Sequence, residues 1–350
     1  MESYGQSVGR RYPVQINTLI TNSFLNDYAR LLGSKSRRRL TEKTQVFSLP
    51  RNIYVRTRAV HTDDVIATSM AIASQLGLNV PLCMAGAAGH DIGHTPFGHL
   101  GESVLTRYAQ DVLGREGVEF KHYVAGVVVA QQIERSGSGL NLCYETLECM
   151  LNHSRGEGDL VVDSNLSQEA AVVMFADKIA YTFADINDAF RNGYLSEGSI
   201  PVAARQLGRS QRKRENAVIR ALVSESLDRG YVSFSEGEVF EMFTEIKAFM
   251  YTNVYKTINT EIHEKILWEI CKFFNEHEYF GSVDPVLLTS LLTDKEAFDF
   301  AKIMLGGRRP TIEEIRHFGI FEVLKYVKNK DIDWADPDLD WKDEAHPDVQ

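Results

Sequence analysis

Residues 85–102 read AGAAGHDIGHTPFGHLGE and hold most of the reactive side chains that lie close together in the sequence. Small residues fill the first part of this stretch, which lets neighbouring chain segments approach it closely. Gly93 and Pro96 predict that the helix ends near Asp91. Five residues that bind metals or carry protons lie in the last thirteen positions: His90, Asp91, His94, His99 and Glu102. Glycines at such a helix end free these side chains to converge on one point.

Imidazole nitrogens and carboxylate oxygens together suit a divalent transition metal, that is Mn, Fe, Co, Ni or Zn. A closed structural zinc site is disfavoured, because such sites prefer several cysteines. The four cysteines show no C-x-x-C spacing: Cys83, Cys143, Cys149 and Cys271. The sequence therefore predicts an open catalytic metal site, and the cysteine pattern indicates a reduced, cytoplasmic chain without disulfides.

Two further metal ligands are expected from distant parts of the chain. His61 lies directly before Thr62, which we predict to cap a helix that ends at Gly77. Asp177 interrupts the longest apolar-periodic segment, a helix predicted over residues 167–191. One face of this helix carries three carboxylates and a phenol at i, i+4, i+8 and i+11: Asp177, Tyr181, Asp185 and Asp188. The stripe is either a solvated acidic surface or, since apolar residues surround it, part of a buried site.

Helical patterns dominate the rest of the chain, so the predicted fold class is all-α with few short strands. Further helices are predicted over residues 81–88, 123–134, 145–153, 215–228, 236–256, 261–276, 286–292 and 311–328. The best strand signal covers residues 231–235. The expected organisation is an N-terminal extension (1–36), a helical core (37–195), a helical C-terminal region packed on the core (196–330) and an acidic tail (331–350).

Composition and charge exclude several classes of protein. No uncharged apolar run approaches the roughly 18 residues that span a bilayer, so we expect no membrane association. The formal net charge is −10, but eight acidic residues and one lysine lie in the last twenty positions. The remainder is close to neutral, which argues against binding nucleic acid through overall charge. The acidic tail, with Trp334 and Trp341, is expected to be flexible or loosely packed, and the basic segment 205–214 to be a solvated surface or linker.

The pattern R-x-x-H…H-D…D resembles the HD-domain metallophosphohydrolases. The longer HDIGHTPFGHLGE resembles specifically the deoxynucleotide triphosphohydrolases, both bacterial dGTPases and the SAM-and-HD-domain enzymes. Other segments similar to that family occur in its order: RRRLTEKTQVF (37–47), FKHYVAG (120–126), LNHSRGEG (151–158), DKIAYTFADINDAFRNG (177–193) and FMYTNVYK (249–256). The resemblance thus covers residues 37 to 260, and it implies an HD-domain helical core.

The resemblance implies a role for each matching position. Four residues would bind one divalent metal ion: His61, His90, Asp91 and Asp177. Four residues would surround the scissile phosphate: His94, His99, Glu102 and His122. Five residues would bind the rest of the substrate, namely the triphosphate (Arg58, Lys178), the sugar (Tyr181) and the 3′-hydroxyl (Gln45, Asp185).

The implied reaction is hydrolysis of a dNTP to a deoxynucleoside and tripolyphosphate by attack of water at the α-phosphorus. A metal ion can activate the water and neutralise charge on the phosphoryl oxygens, and Mg²⁺ is expected to accompany the triphosphate. His99 and Glu102 form a plausible proton-transfer pair if a new helix starts near Gly98. A tyrosine ring packed under the deoxyribose, here Tyr181, would collide with a 2′-hydroxyl.

Two other functions stay open at this point. Another HD phosphohydrolase, acting on nucleoside monophosphates, cyclic dinucleotides or guanosine polyphosphates, would release products other than tripolyphosphate. A non-catalytic regulator could instead bind nucleotides or single-stranded DNA, although the intact set of proton-transfer residues argues against it. The family is usually oligomeric and often hexameric, so a homo-oligomer is expected. The basic segment 205–214 could hold an effector nucleotide or single-stranded DNA.

Overall fold

The structure is a computed structural model that describes residues 1, 3–14, 19–48, 50, 52–154, 160, 162, 166–328 and 330–347. The helices of its first half are α1 (Ser23–Leu32), α2 (Lys35–Arg39), α3 (Arg58–Leu76), α4 (Val80–Gly89), α5 (His99–Asp111), α6 (His122–Val128), α7 (Glu134–Gly137), α8 (Tyr144–Asn152) and α9 (Gln168–Arg191). Those of its second half are α10 (Val202–Leu207), α11 (Gln211–Arg229), α12 (Glu238–Asn253), α13 (Glu261–Glu276), α14 (Pro285–Ser290), α15 (Asp294–Met304), α16 (Ile312–Ile315) and α17 (Ile320–Val327). Within the described ranges, extended pairing is limited to isolated bridges, so the all-α prediction is confirmed.

The centre of the fold is α9, a helix of 24 residues that is buried along most of its length. The Ser167 hydroxyl caps its first turn by accepting from the Ala170 N–H. Helices α3, α4, α8, α11 and α12 all pack against it. A polar residue in the middle of α9, such as Asp177, therefore lies in the interior of the bundle rather than on a solvated stripe.

Helix α3 begins earlier than the sequence suggests. Thr57, not Thr62, is the N-cap, and its hydroxyl accepts from the Val60 N–H. The Thr62 hydroxyl instead donates to the Arg58 carbonyl at 2.8 Å, so this threonine is satisfied inside the helix. The Thr62 prediction is wrong because a threonine can either cap a helix or bond to the turn behind it. The end at Gly77, in the left-handed conformation with φ 67°, is confirmed.

The segment between α4 and α5 is shaped by two glycines. A Cβ on Gly93 would lie 2.1 Å from the backbone of α6, so this turn and α6 touch through their main chains. Gly98 has φ 60° and directly precedes α5, and a Cβ there would meet the Arg58 guanidinium at 2.6 Å. A new helix does start at this point, which is the condition for His99 and Glu102 to share a face: α5 begins at His99.

The C-terminal helices pack on the core at several places, one of which is the contact of α17 with α7. Helices α11 and α12 contact α9, while α13 and α14 contact α5. The extended segment 231–235 is not a strand, because its backbone donates to the side chains of Gln168 and Ser226 rather than to a neighbouring strand. The predicted helix over 311–328 is interrupted between α16 and α17. The division into four regions stays a prediction.

The described part of the acidic tail, residues 331–347 without gaps, is packed, contrary to the prediction of a loose end. Trp334 is fully buried, and its ring packs against that of Phe120 with the ring centroids 5.2 Å apart. Its indole N–H donates to the Asp284 carboxylate at 2.9 Å. Trp341 donates to Gln131 at 2.9 Å, and His346 pairs with the backbone of Arg10. Two large aromatic rings bury enough apolar area to hold an otherwise charged segment in place.

The basic segment 205–214 is not an exposed linker, because most of its residues are helical: they form the end of α10 and the start of α11. Arg214 is buried and donates from Nε to the Ala204 and Gly208 carbonyls, both at 2.9 Å. The remaining cations of the segment are exposed: Arg205, Arg209, Arg212 and Lys213. In the part of the chain that is described, every helix is too short or too polar to span a lipid bilayer.

Candidate metal and nucleotide site

Three residues from three helices form the first metal-binding group. His61 lies in the first turn of α3, His90 directly follows α4, and Asp177 lies in the middle of α9. The distance from Asp177 Oδ1 is 2.9 Å to His61 Nε2 and 3.8 Å to His90 Nε2. One ligand atom from each residue falls within 4.8 Å of the other two. The structure thus brings together residues more than a hundred positions apart.

The hydrogen bonds of His90 test whether this group fits a metal ion. Its Nδ1 lies 2.6 Å from the Ala87 carbonyl, which can only accept, so Nδ1 carries the proton. In the neutral ring Nε2 then has a lone pair, and this atom is buried without a hydrogen-bond partner. Metal-binding histidines commonly fix their second nitrogen in this way. A set of two imidazoles and a carboxylate therefore fits a divalent transition metal.

Asp91 lies beside this group and is held by Arg58. Its Oδ1 is 3.4 Å from His90 Nε2, and its Oδ2 accepts from Arg58 Nη1 at 2.9 Å. Burial alone would raise the pKa of the Asp91 carboxyl, but the imidazoles of His90 and His94 and the Arg58 guanidinium hold it well below its usual range. Because the Arg58 guanidinium is already paired with Asp91, a bound phosphate would have to share it.

Glu102 organises a second cluster of histidines. Its Oε1 lies 2.8 Å from His99 Nδ1 and 2.9 Å from His122 Nδ1. The ring of His94 stacks on that of His122, with centroids 3.8 Å apart. Burial would raise the pKa of Glu102, but the His122 and His99 contacts hold it well below its usual range, so it is a carboxylate. The His99 side chain is 76% exposed and faces the cavity.

A cavity of about 1040 Å³ joins these clusters. Twelve of the thirteen positions predicted for the site line it: Gln45, Arg58, His61, Asp91, His94, His99, Glu102, His122, Asp177, Lys178, Tyr181 and Asp185. His90, the thirteenth, lies behind the wall against Asp91 and Asp177. The predicted residues therefore meet around one space, and their individual roles stay predictions.

Two buried acceptors among the residues that line the cavity are unsatisfied. Asp185 Oδ2 accepts from the Tyr255 hydroxyl at 2.7 Å, whereas its Oδ1 is buried without a partner. Gln45 Oε1 is also buried without a partner. Burial raises the pKa of the Asp185 carboxyl to about 7. Buried unpaired acceptors are costly, which is typical of positions that a ligand hydroxyl completes.

The raised pKa of Asp185 gives a stability prediction. The folded protein holds a proton there that the unfolded chain loses near pH 4, so stability falls as pH rises from 4 through 7. Asp185→Asn removes this cost and is expected to be more stable than the parent at pH 8, by on the order of 4 kcal/mol. Urea unfolding at pH 4.5 and 8 checks this. A stability difference that does not change with pH would contradict it.

Two residues of the site have no role predicted from the sequence. His153, directly after α8, has its Nε2 3.0 Å from His122 Nε2, and its ring packs against His90. It belongs to the LNHSRGEG segment but received no role, although a histidine at a helix end is the same signal that identified His90. Residues 155–158 of that segment lie outside the described residues. Tyr255, the second, is the partner of Asp185.

Comparisons with known proteins identify the family to which the chain belongs. The family model described as "HD domain" matches residues 58–182. A "Deoxyguanosinetriphosphate triphosphohydrolase-like protein" of Clostridium perfringens (strain SM101) is 39% identical over 259 residues, which cover 71% of this chain and 72% of that protein. The chain belongs to this HD-domain family of dGTP triphosphohydrolase-like proteins. The matched range of the HD-domain family includes the whole first metal-binding group.

Other members of this family are similarly close. A protein of the same name from Desulfatibacillum aliphaticivorans is 34% identical over 280 residues, 77% of this chain and 78% of that protein. One from Caldanaerobacter subterraneus subsp. tengcongensis is 37% identical over 239 residues, 67% and 66% of the two chains. The match to each relative therefore extends beyond the HD domain itself into neighbouring parts of the family fold.

Proposed function

We propose that the protein hydrolyses deoxynucleoside triphosphates to deoxynucleoside and tripolyphosphate through attack of water at the α-phosphorus. One observation carries this proposal: a metal-binding group, a histidine–carboxylate cluster and two unpaired acceptors line the same cavity. A divalent metal bound there would supply Lewis-acid activation of water and stabilise charge on the phosphoryl oxygens. The names of the family relatives support a dNTP substrate.

His99 is the residue proposed to move the proton. The Glu102 carboxylate accepts from its Nδ1 and so fixes the ring, which leaves Nε2 as the nitrogen that faces the cavity. Partial enclosure by the cavity lowers the pKa of His99, because it disfavours the charged imidazolium. The hydrogen bond to Glu102 and the charge of that carboxylate have a larger effect in the opposite direction, so the pKa of His99 is raised. A histidine held in this way can exchange a proton with the attacking water or the leaving O5′.

Three of the cations that line the cavity are proposed to hold the triphosphate, together with Mg²⁺. Arg58, Lys178 and Lys256 line the cavity from three separate segments of the chain. Each is a donor without acceptor capacity, so each favours phosphoryl oxygens. These cations and the first metal-binding group lie around one space. In the proposed binding mode the α-phosphorus lies near the first metal-binding group, and the β- and γ-phosphates contact the lysines.

The sugar is proposed to lie against Tyr181, with its 3′-hydroxyl on Gln45 and Asp185. Because a ring under the sugar leaves no room for a 2′-hydroxyl, we expect dNTPs to be hydrolysed about 100-fold faster than the matching NTPs. Tyr181→Ala should reduce this preference more than it reduces dNTP hydrolysis. Steady-state rates on matched dNTP and NTP pairs measure both effects. Comparable rates in the parent protein would remove Tyr181 from this role.

One assay tests the proposed reaction. The metal-loaded protein is incubated with each of the four dNTPs, and the products are separated by chromatography. Tripolyphosphate together with a deoxynucleoside supports the proposal. Inorganic phosphate or pyrophosphate as the released anion would instead indicate another HD phosphohydrolase, and no product from any dNTP would favour the non-catalytic alternative.

Assembly and regulation are two further proposals, and the same preparation can test them. The proposed reaction belongs in the cytoplasm, where dNTPs are used, and a homo-oligomer such as a hexamer follows from the family resemblance. The exposed cations of segment 205–214 would suit the phosphates of an effector nucleotide or of single-stranded DNA. Light scattering with and without added dNTP or oligonucleotide tests both points.

A further inference from the structure

A buried carboxylate at the start of α15 connects two segments that line the cavity. Asp294 is 1% exposed. Its Oδ1 accepts from the Phe97 N–H at 3.0 Å, and its Oδ2 accepts from the Thr44 N–H at 3.0 Å and from the Thr44 hydroxyl. Asp294 lies outside the residues that match the HD-domain family model, 197 positions after Phe97. A residue of the C-terminal region therefore joins two segments of the cavity that are distant in the sequence.

Each of these segments carries a residue of the proposed site next to the contact. Thr44 precedes Gln45, whose Oε1 is one of the two unpaired acceptors, and Phe97 lies two positions before His99. Gln45, Phe97 and His99 line the cavity, whereas the buried Asp294 is not one of the described residues that line it. Hydrogen bonds from a backbone N–H to a carboxylate are charge-assisted and strong. Asp294 thus fixes the main chain that carries these side chains.

The turn directly before His99 has a backbone conformation that few side chains adopt. Phe97 has φ 61°, in the left-handed region that is unfavourable for a bulky residue. Such a conformation persists only where the surroundings hold it. The Phe97 ring packs against the rings of His263 and Phe298, with centroids 4.5 and 5.1 Å away, and Asp294 binds the Phe97 N–H. All three contacts come from α13 and α15, so these C-terminal helices maintain the turn.

A buried lysine ties the same turn to the C-terminal region a second time. Lys43 is 1% exposed, and its ammonium donates to the His94 carbonyl and, at 3.1 Å, to the Ser290 carbonyl. His94 lies at the start of the turn, and Ser290 is the last residue of α14. The turn is therefore held through a carbonyl by Lys43 and through an N–H by Asp294.

We propose that Asp294 is a positioning residue for the proposed hydrolysis: by joining the turn at Phe97 to the segment at Thr44, it sets the direction in which His99 enters the cavity. His99 is the first residue of α5, so a shift of the turn before it moves the His99 ring. A displacement of about 1 Å can lower a rate by about 100-fold. The role rests on the proposed function, because Asp294 acts through His99 and contacts neither substrate nor metal.

Asp294→Asn tests this link with a small change in shape. An amide accepts only through its oxygen, so either the Phe97 N–H or the Thr44 N–H loses its acceptor, and the link is broken in both cases. We expect kcat to fall about 10- to 100-fold for the dNTP that the parent hydrolyses fastest, with metal content unchanged. Thr44→Val is the matched control. It removes the hydroxyl contact but keeps both N–H contacts, and its kcat should match that of the parent.

A double-mutant cycle shows whether Asp294 acts through His99. In the His99→Ala background there is no ring to position, so Asp294→Asn should lower kcat further by less than about threefold. A residue that only supports the fold would lower kcat by the same factor in both backgrounds. Circular dichroism and thermal unfolding check that each variant folds. If Asp294→Asn does not fold, Asp294→Ser, whose shorter side chain cannot reach both N–H groups, is carried through the same cycle.

Equal fold losses in the two backgrounds would overturn the proposal, and so would an Asp294→Asn protein with the kcat of the parent. A loss that depends on the presence of His99 supports it. Turnover by the parent protein distinguishes the two levels of failure. A parent that hydrolyses no dNTP would reject the proposed function together with the role of Asp294, whereas an active parent with equal losses would reject the role of Asp294 alone.

Discussion

Asp177→Ala is expected to lose turnover and the metal ion of the first group together. The Asp177 carboxylate is the one anion in contact with both His61 and His90 in that group. Burial would raise the pKa of its carboxyl, but the hydrogen bond from His61 holds it far below the usual range, so it is charged at neutral pH. Removing it leaves two neutral imidazoles, which bind divalent ions weakly compared with a set that includes an anion.

The measurements are metal ions per chain and kcat for dNTP hydrolysis. Metal content should fall by one ion, and turnover by on the order of a thousandfold or more, the loss that accompanies removal of a main electrostatic contribution. Asp188→Ala is the matched control, since it removes another buried carboxylate from the same helix. The Asp188 carboxylate pairs with Arg56 and Arg191 rather than with the histidines. It should keep its metal. Full metal content in Asp177→Ala would disprove the assignment.

The sequence alone predicts that side chains meet where reactive residue types lie close together along the chain. His90, Asp91, His94 and His99 lie in one short stretch, so their proximity follows from chain connectivity alone. Asp177 stands out in the sequence because it interrupts an apolar-periodic helix, whereas its proximity to His61 and His90 results from the packing of α3, α4 and α9. The all-α fold followed in the same way from long periodic segments, which fix the element type even where they leave its ends uncertain.

The residues that were missed depend on contacts between distant segments. His153 meets His122 because α6 and α8 pack together. The local sequence around each histidine does not predict this contact. Tyr255 reaches Asp185 across the interface between the core and the C-terminal helices. The prediction of a loose acidic tail is wrong for a similar reason. The charges of the tail predict a solvated end, whereas the burial of Trp334 depends on contacts with Phe120 and Arg115 from a distant part of the chain.

His99→Ala is expected to separate catalysis from metal binding. His99 contacts Glu102 but none of the three residues of the first group, so each metal ligand keeps its partners when the ring is removed. Loss of a general acid or base typically costs 10²- to 10⁴-fold in rate, and we expect kcat to fall by about that factor while metal content is unchanged.

Chemical rescue makes this prediction specific. Because the His99 ring is largely exposed to the cavity, truncation leaves a space that free imidazole can enter from solvent. Added imidazole should therefore restore part of the rate of His99→Ala and none of the rate of Asp177→Ala, whose defect is a lost metal ligand. If His99→Ala also lost its metal, or if imidazole had equal effects on both variants, His99 would be a structural neighbour of the metal-binding group rather than the residue that transfers the proton.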